Sequence, residues 1–220
     1  MTTLLLIRHA MTDWAGRRLA GWLPDVHLNA EGRRQAEELA ARLAGVALAA
    51  IYSSPLERAL ETARVLAAGR SLPVQLRLGL GELRCGDWQG KELEELSKDP
   101  LWPAVQFYPS GVRFPGGEAL RETQARMVAT LSEIVEAHAG QVVAAVSHAD
   151  PIALAVAHYA GVHMDLFQRL VISPASVTVI TFGPLGPRLL RLNDAGALRL
   201  TPEGGAAGPP AAEARRASNG

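Results

Sequence analysis

The chain has 220 residues, of which 48% are hydrophobic and 20% charged, a composition typical of one large globular domain with a full core. Basic and acidic residues are equal at 22 each, so charge gives no reason to expect nucleic acid or an anionic membrane as a partner. The single cysteine, Cys85, excludes an intrachain disulfide and a cysteine-based zinc site. The sequence has no signal-peptide pattern and no apolar run of the ~18 residues that span a membrane, so we expect a cytoplasmic protein.

Strand-like and helix-like segments alternate along the chain. Short apolar runs predict strands at 3–7, 49–53, 73–78, 142–146, 176–182 and 188–193. Apolar residues at helical spacing predict helices at 28–45, 54–67, 118–140 and 150–161. This alternation predicts a layered α/β domain with a mostly parallel sheet.

Three of the predicted helices carry start signals. Asn29 is the expected N-cap of the first helix. Ser54 and Glu57 have the spacing of a capping box, with Pro55 at the first helical position. Asp150, which a proline follows, is the expected cap of the last helix.

Two stretches lack a regular pattern. Between 98 and 117, prolines are interleaved with aromatic residues, which is typical of an ordered lid, and we expect the aromatic loop from Trp102 to Phe114 to select the substrate. The end of the chain is rich in Ala, Gly and Pro. We therefore expect one domain over residues 1–200 and a disordered tail over 201–220.

Five chemically capable residues follow the predicted strands. Arg8 and His9 end the first strand, Arg58 opens a helix after the second, Glu82 follows the third, and His148 follows the strand "VVAAVS". Ligands bind parallel sheets at the carboxyl ends of their strands. The sequence therefore predicts that all five side chains meet at one edge of the sheet.

Each of these residues also has a structural interpretation when it is taken alone. Arg58 would pair with Glu61 on a helix surface, Glu82 would be a solvated carboxylate, and His148 would be a core histidine bonded to backbone. Ser54 is better explained as a helix cap than as a site residue. The shared position at one sheet edge favours the functional interpretation, because independent accidents should not all fall there.

Together, two arginines, two histidines and a glutamate suit phosphoryl transfer without a metal. Guanidinium groups and a helix N-terminus bind phosphate oxygens. One neutral histidine can attack phosphorus, and the other can bind the oxygens as charge redistributes. A carboxylic acid can protonate the leaving alkoxide. On this interpretation Arg8 holds the phosphate that His9 attacks.

The motifs "LLLIRHAMT", "LAGWLPDVHLNAEGRRQA", "YSSPLERALETA", "LGELRCGDWQG", "FPGGEALRE" and "VSHADPIAL" carry a resemblance. In this order they resemble the histidine phosphatase superfamily, phosphoglycerate mutase-like branch, over residues 3 to 193. The similarity is greatest to small bacterial phosphatase and phosphomutase relatives. It implies a three-layer α/β/α sandwich with a mostly parallel central sheet.

The resemblance also implies roles for individual residues. His9 would become a phosphohistidine, and Glu82 would be the proton donor and later the base that activates water. Residues on the phosphate or substrate side would be Arg8, Thr12, Gly21, Arg58, His148 and Ala149. The implied substrate is a small-molecule phosphomonoester, with no metal or cofactor, and a homodimer is left open.

Three residues depart from the family pattern. The glycines usual after the two histidines are Ala10 and Ala149, and a common asparagine is Ala15. Alanine adopts positive φ only at a cost, so we expect a slightly altered pocket. We expect hydrolysis rather than phosphomutase activity, because one loop and one helix separate Glu82 from His148, where mutases carry a longer shielding insertion.

Other functions compete with this prediction. A metal-dependent hydrolase would use His9, His148 and Asp150, but the sequence has no H-E-x-x-H pattern. A catalytically weak phosphate-binding module is favoured by the three alanines. A nucleotide-binding enzyme is set aside, because "GDWQGK" is one residue short of a P-loop and lacks its Ser/Thr.

Overall fold

A computed structural model describes residues 1–196, and the predicted tail at 201–220 lies outside the described residues. The strands are β1 (Thr2–Arg8), β2 (Ala50–Ser53), β3 (Val74–Leu76), β4 (Val142–Ser147), β5 (Val177–Gly183) and β6 (Gly186–Asp194). The α-helices are α1 (Ala30–Arg42), α2 (Glu57–Ala67), α3 (Leu93–Leu96), α4 (Trp102–Phe107), α5 (Leu120–Ala137) and α6 (Ala149–Ala160). No helix among residues 1–196 is long and apolar enough to cross a membrane.

The strands form one sheet in the order β3-β2-β4-β1-β5-β6. The pairs β3-β2, β2-β4 and β4-β1 are parallel, whereas β5 and β6 are added antiparallel at one side. The predicted mostly parallel sheet is confirmed. The carboxyl ends of β1, β2 and β4 lie side by side, which creates the edge at which a ligand is expected.

Helices cover both faces of the sheet, as the alternation along β1 requires. Leu4 and Leu6 pack into the hydrophobic cluster that contains residues of α5 and α6. Leu5 and Ile7 point the other way, into the cluster that contains residues of α1 and α2. A strand that is buried on both faces reads as a continuous apolar run, which explains why "TLLLI" shows no alternation. The predicted three-layer sandwich is confirmed.

Two of the three predicted helix caps are wrong. Asn29 does cap α1, since its side chain accepts the Gly32 N–H at 2.8 Å. Helix α2, however, begins at Glu57, so its N-cap is Leu56 rather than Ser54. No side chain caps this helix with a hydrogen bond. Helix α6 begins directly after His148, so Asp150 lies inside its first turn rather than at its cap.

The segment predicted to be irregular contains helix α4 and a 3-10 turn at Pro109–Gly111. A proline is tolerated in the first turn of α4, where its missing N–H would have no partner inside the helix. Val105 packs into the core beneath this segment, whereas Phe107 is exposed. Strand β3 is shorter than predicted, because residues 78–80 turn away from the sheet as a 3-10 turn.

Candidate active site

The five residues predicted to meet at the sheet edge do lie together. The rings of His9 and His148 have centroids 5.1 Å apart, and His148 Nδ1 lies 3.7 Å from Glu82 Oε2. Arg8 and Arg58 line one cavity together with His9 and Glu82, and their positive charges lower the pKa of both histidines. The bare topology of parallel strands was sufficient to predict this cluster.

A cavity of about 300 Å³ opens at this cluster. Its floor carries Arg8, His9, Arg58 and Glu82, whereas His148 has no exposed surface and lies behind them. The remaining wall is largely aromatic or apolar, with Trp14, Leu19, Leu83, Trp88, Leu93, Trp102, Val105 and Phe114. Thr12, Gly21 and Ala149, which the resemblance had placed on the substrate side, also line it.

His9 presents one free ring nitrogen to the cavity. Its Nδ1 lies 2.8 Å from the Ala10 carbonyl oxygen, which can only accept, so Nδ1 carries the ring proton and Nε2 keeps its lone pair. Burial, and then the positive charges of Arg58 and Arg8, hold the pKa of His9 well below its usual value. His9 is therefore neutral at pH 7, as a nucleophile must be.

Arg58 is 1% exposed, so it is not the surface residue of the alternative interpretation. Its Nη2 donates to the Gly21 carbonyl oxygen at 2.8 Å, and its buried Nη1 has no hydrogen-bond partner within residues 1–196. Glu61, the expected surface partner, instead accepts the Leu28 N–H and contacts His27. A buried cation with an unused donor beside a cavity is suited to binding an anion.

Gly21 is required where it lies. Its φ of +51° is in the left-handed region, and a Cβ there would lie 2.6 Å from the Gln89 side chain and 2.9 Å from Cys85 Sγ. A larger residue would push apart the backbone whose carbonyl orients Arg58.

His148 is oriented by Ser54, which sequence reasoning had assigned to a helix cap. His148 Nε2 lies 2.8 Å from Ser54 Oγ, which also accepts the Leu56 N–H at 3.3 Å. Ser54 Oγ has a proton to donate and a second lone pair to accept with, so this bond orients the ring in either tautomer. Nδ1 of His148 is buried beside Glu82 and has no hydrogen-bond partner in the described part of the chain.

Glu82 is tuned toward its protonated form. Burial and, after it, the negative charge of Asp150 raise the pKa of Glu82 to about 7, against the opposing positive charge of Arg58. Oε1 accepts the Leu83 N–H at 2.9 Å, which holds the carboxyl in place. Half-protonated near neutral pH, this carboxyl can act as an acid and then as a base.

The side chains required by a metal-dependent hydrolase do not assemble. Within residues 1–196, no group of three or more His, Cys, Asp or Glu residues is arranged to hold a metal ion. Asp150 lies on the cavity wall, and each histidine uses one ring nitrogen in a hydrogen bond, His9 to Ala10 and His148 to Ser54.

Comparison with known proteins agrees with this geometry. The family model described as "Histidine phosphatase superfamily (branch 1)" matches residues 4–195. The chain belongs to this superfamily. Phosphoserine phosphatase 1 of Hydrogenobacter thermophilus is 33% identical over 198 residues, which cover 88% of this chain and 92% of the relative.

Two solved structures show the same relationship for the fold. YhfR of Bacillus stearothermophilus superposes with a TM-score of 0.84 at 32% identity, covering 88% of this chain and 98% of that one. A phosphoserine phosphatase variant of Entamoeba histolytica, solved with phosphoserine, superposes with a TM-score of 0.81 at 27% identity over 89% and 98%. The predicted assignment to the histidine phosphatases, and with it to the phosphatases, is confirmed.

As a histidine phosphatase, the chain accommodates its unusual alanines without strain. Neither Ala10 nor Ala149 has a positive φ, so neither position needs the freedom of glycine. Ala10 is fully buried in the hydrophobic cluster that contains residues of α1 and α2, and its N–H donates to Thr62 Oγ1 at 3.0 Å. The backbone strain on which the expectation of a slightly altered pocket rested is therefore absent at these two positions.

Sequence reasoning missed two parts of this histidine phosphatase site. Ser54 was assigned to a cap, and Asp150 to a cap or to the rival metal site. A signal was present for Asp150, because it lies two residues after His148 in the helix that follows β4. For Ser54 the signal was its position directly after β2, at the same sheet edge as the other site residues.

Proposed function

We propose that the chain is a metal-independent phosphomonoester hydrolase that works through a phosphohistidine on His9. The observation that supports this most strongly is the neutral His9 with a free Nε2, beside the buried Arg58, the half-buried Arg8 and a carboxyl whose pKa is about 7. Arg8 and Arg58, which line the cavity, would hold the phosphate oxygens as their charge redistributes, and the family resemblance assigns the same role to His148.

In the first step, His9 Nε2 attacks phosphorus while the bond from phosphorus to the ester oxygen breaks. The electron pair leaves on the ester oxygen, and that oxygen takes the proton of Glu82. The products are an alcohol, a phosphohistidine and an ionised Glu82.

In the second step, water replaces the alcohol. The ionised Glu82 takes a proton from water as the water oxygen attacks phosphorus, and the bond between phosphorus and Nε2 breaks. Inorganic phosphate leaves, His9 regains its lone pair, and Glu82 is protonated for the next cycle.

Phosphate release from a panel of phosphomonoesters, measured with excess chelator, tests this function. We expect turnover in chelator, because the described donors are nitrogen and oxygen groups of the chain itself. The panel includes p-nitrophenyl phosphate, alkyl and sugar phosphates, nucleotides, phosphoserine and 3-phosphoglycerate. Turnover that appears only when metal is restored contradicts the proposal, and phosphate transfer without release to water identifies a mutase.

Within this panel we expect phosphoserine to be preferred over 3-phosphoglycerate. The two esters differ only in an ammonium group against a hydroxyl group. The Asp150 carboxyl lines the cavity wall beside the reacting groups, where it can accept from an ammonium. The phosphoserine phosphatase relatives are consistent with such a preference.

Replacing Asp150 by asparagine should shift the pH dependence of the enzyme. The negative charge of Asp150 is, after burial, the main reason that the pKa of Glu82 is raised to about 7. Without that charge Glu82 ionises more easily, so the alkaline limb of kcat/KM for an alkyl phosphate should move to lower pH. The measurement is kcat/KM between about pH 5 and 9.

Glu37→Gln is the matched control for this shift. Glu37 is an exposed carboxylate on α1, so its loss removes the same charge from the molecule without changing the site. An alkaline limb that stays in place in Asp150→Asn would show that Glu82 does not set it.

A further inference from the structure

The turn that carries Glu82 is held by one arginine of α5. Arg126 Nη1 donates to the carbonyl oxygens of Gly79 and Gly81 at 3.0 and 2.8 Å, and its Nη2 donates to the Glu82 carbonyl oxygen at 2.7 Å. Three carbonyl groups of one short turn therefore share a single guanidinium. Because this group is a rigid planar fork, it fixes the direction of the backbone as well as adding charge.

Arg126 is itself fixed by Glu118. Nε and Nη2 of the arginine donate to the two carboxylate oxygens at 3.2 and 2.7 Å, and the exposed fractions of the two side chains are only 22% and 12%. Oε1 of Glu118 also accepts the Arg84 N–H at 2.9 Å and the Thr123 hydroxyl at 2.7 Å. Arg126 and Glu118 therefore hydrogen-bond to the backbone both before and after Glu82.

Two further hydrogen bonds hold the same turn in place. The indole N–H of Trp22 donates to the Glu82 carbonyl oxygen, and the Ser147 hydroxyl donates to the Leu80 carbonyl oxygen at 2.7 Å. Ser147 is the last residue of β4 and precedes His148, so this bond ties the turn to the sheet edge. Hydrogen bonds of this kind restrict a catalytic side chain to the geometry that proton transfer needs.

We propose that Arg126 and Glu118 are positioning residues for proton donation by Glu82. They hold its carboxyl where it can reach the leaving oxygen, and they act on the reaction only through it. The proposal rests on the function proposed above for Glu82. Neither Arg126 nor Glu118 belongs to the cavity lining, so neither is expected to touch the substrate.

The leaving group separates positioning from a merely structural role. An alkoxide needs a proton to depart, whereas nitrophenolate does not. Arg126→Met keeps an unbranched apolar stem and removes the donors of the guanidinium group. We expect kcat/KM for an alkyl phosphate to fall by up to about 100-fold. For p-nitrophenyl phosphate it should fall by less than about threefold. Inhibition by inorganic phosphate should stay unchanged.

Arg113→Met is the matched control. Arg113 pairs with Glu122 of the same helix α5, but both side chains are largely exposed. Loss of this pair should leave kcat/KM unchanged for both esters.

A double variant tests whether Arg126 acts through Glu82. In the Glu82→Gln background the acid is already gone, so Arg126→Met should add nothing to the ratio of alkyl to nitrophenyl turnover. A further loss on the alkyl ester in that background overturns the proposal, because Arg126 would then act by another route.

Arg126→Lys and Glu118→Gln carry the test if Arg126→Met does not fold. Lysine at position 126 keeps the charge but cannot hydrogen-bond to all three carbonyl groups. Glutamine at position 118 weakens the hydrogen bonds that hold the guanidinium group. Both should show the same selective loss on alkyl esters, and equal losses on the two esters overturn the proposal.

If Glu82→Gln itself slows both esters equally, the acid role of Glu82 fails first. If only the Arg126 and Glu118 variants lack selectivity, the positioning role alone is wrong.

Discussion

Replacing His9 by alanine should abolish turnover of every phosphomonoester while leaving the fold intact. The free Nε2 of His9 is the group that we propose attacks phosphorus, and removal of a nucleophile typically costs at least about 1000-fold in kcat. Rapid quenching of the wild-type enzyme in alkali, where the bond between phosphorus and nitrogen survives, should trap labelled phosphate on the protein. The His9→Ala variant should trap none.

Phosphate affinity separates loss of the nucleophile from loss of the site. Arg8 and Arg58 remain in His9→Ala, so calorimetry should still detect binding of inorganic phosphate or vanadate. His27→Ala, which removes an exposed imidazole that pairs with Glu61, is the matched control and should keep full activity. Clear residual turnover with labelled phosphate on another residue would refute the assignment of His9.

Replacing Glu82 by glutamine should affect the two halves of the reaction differently. Glutamine has the shape of the acid but no proton to give, so kcat/KM for alkyl and sugar phosphates should fall by about 10²–10⁴. For p-nitrophenyl phosphate, kcat/KM should change by less than about tenfold, because its leaving group needs little protonation.

The second half of the reaction provides an independent readout for the same variant. Glu82→Gln also lacks the base for water, so p-nitrophenyl phosphate should give a burst of one nitrophenol per enzyme before a slow steady state. Glu94→Gln, an exposed carboxylate of α3, is the control and should show neither effect. Equal losses of kcat/KM on all esters, with no burst, would contradict both roles of Glu82.

The sequence alone was sufficient to place the principal site residues. Arg8, His9 and His148 end or follow apolar runs, and Arg58 opens the helix after another. The carboxyl ends of parallel strands share one edge, so this order along the chain already implies that the side chains meet. The spaced motifs around them were specific enough to indicate the family, which the comparisons confirm.

The sequence was less informative about helix ends and the segment before α5. Short polar residues near a helix start satisfy the same rules whether or not they reach a backbone N–H, so Ser54 and Asp150 were assigned to caps. Helix α4 was missed because Pro103 in its first turn and the exposed Phe107 at its end mask a helical pattern.

Only the tertiary structure decided which residues orient the proposed catalytic groups. Ser54 and His148 are 94 positions apart, and Arg126 is 44 positions from the Glu82 carbonyl that it binds. No local pattern encodes such contacts, because they arise when separate helices pack against the same sheet edge. The sequence specifies which side chains are available to react. Their tautomers, pKa values and orientation depend on neighbours that only folding brings near.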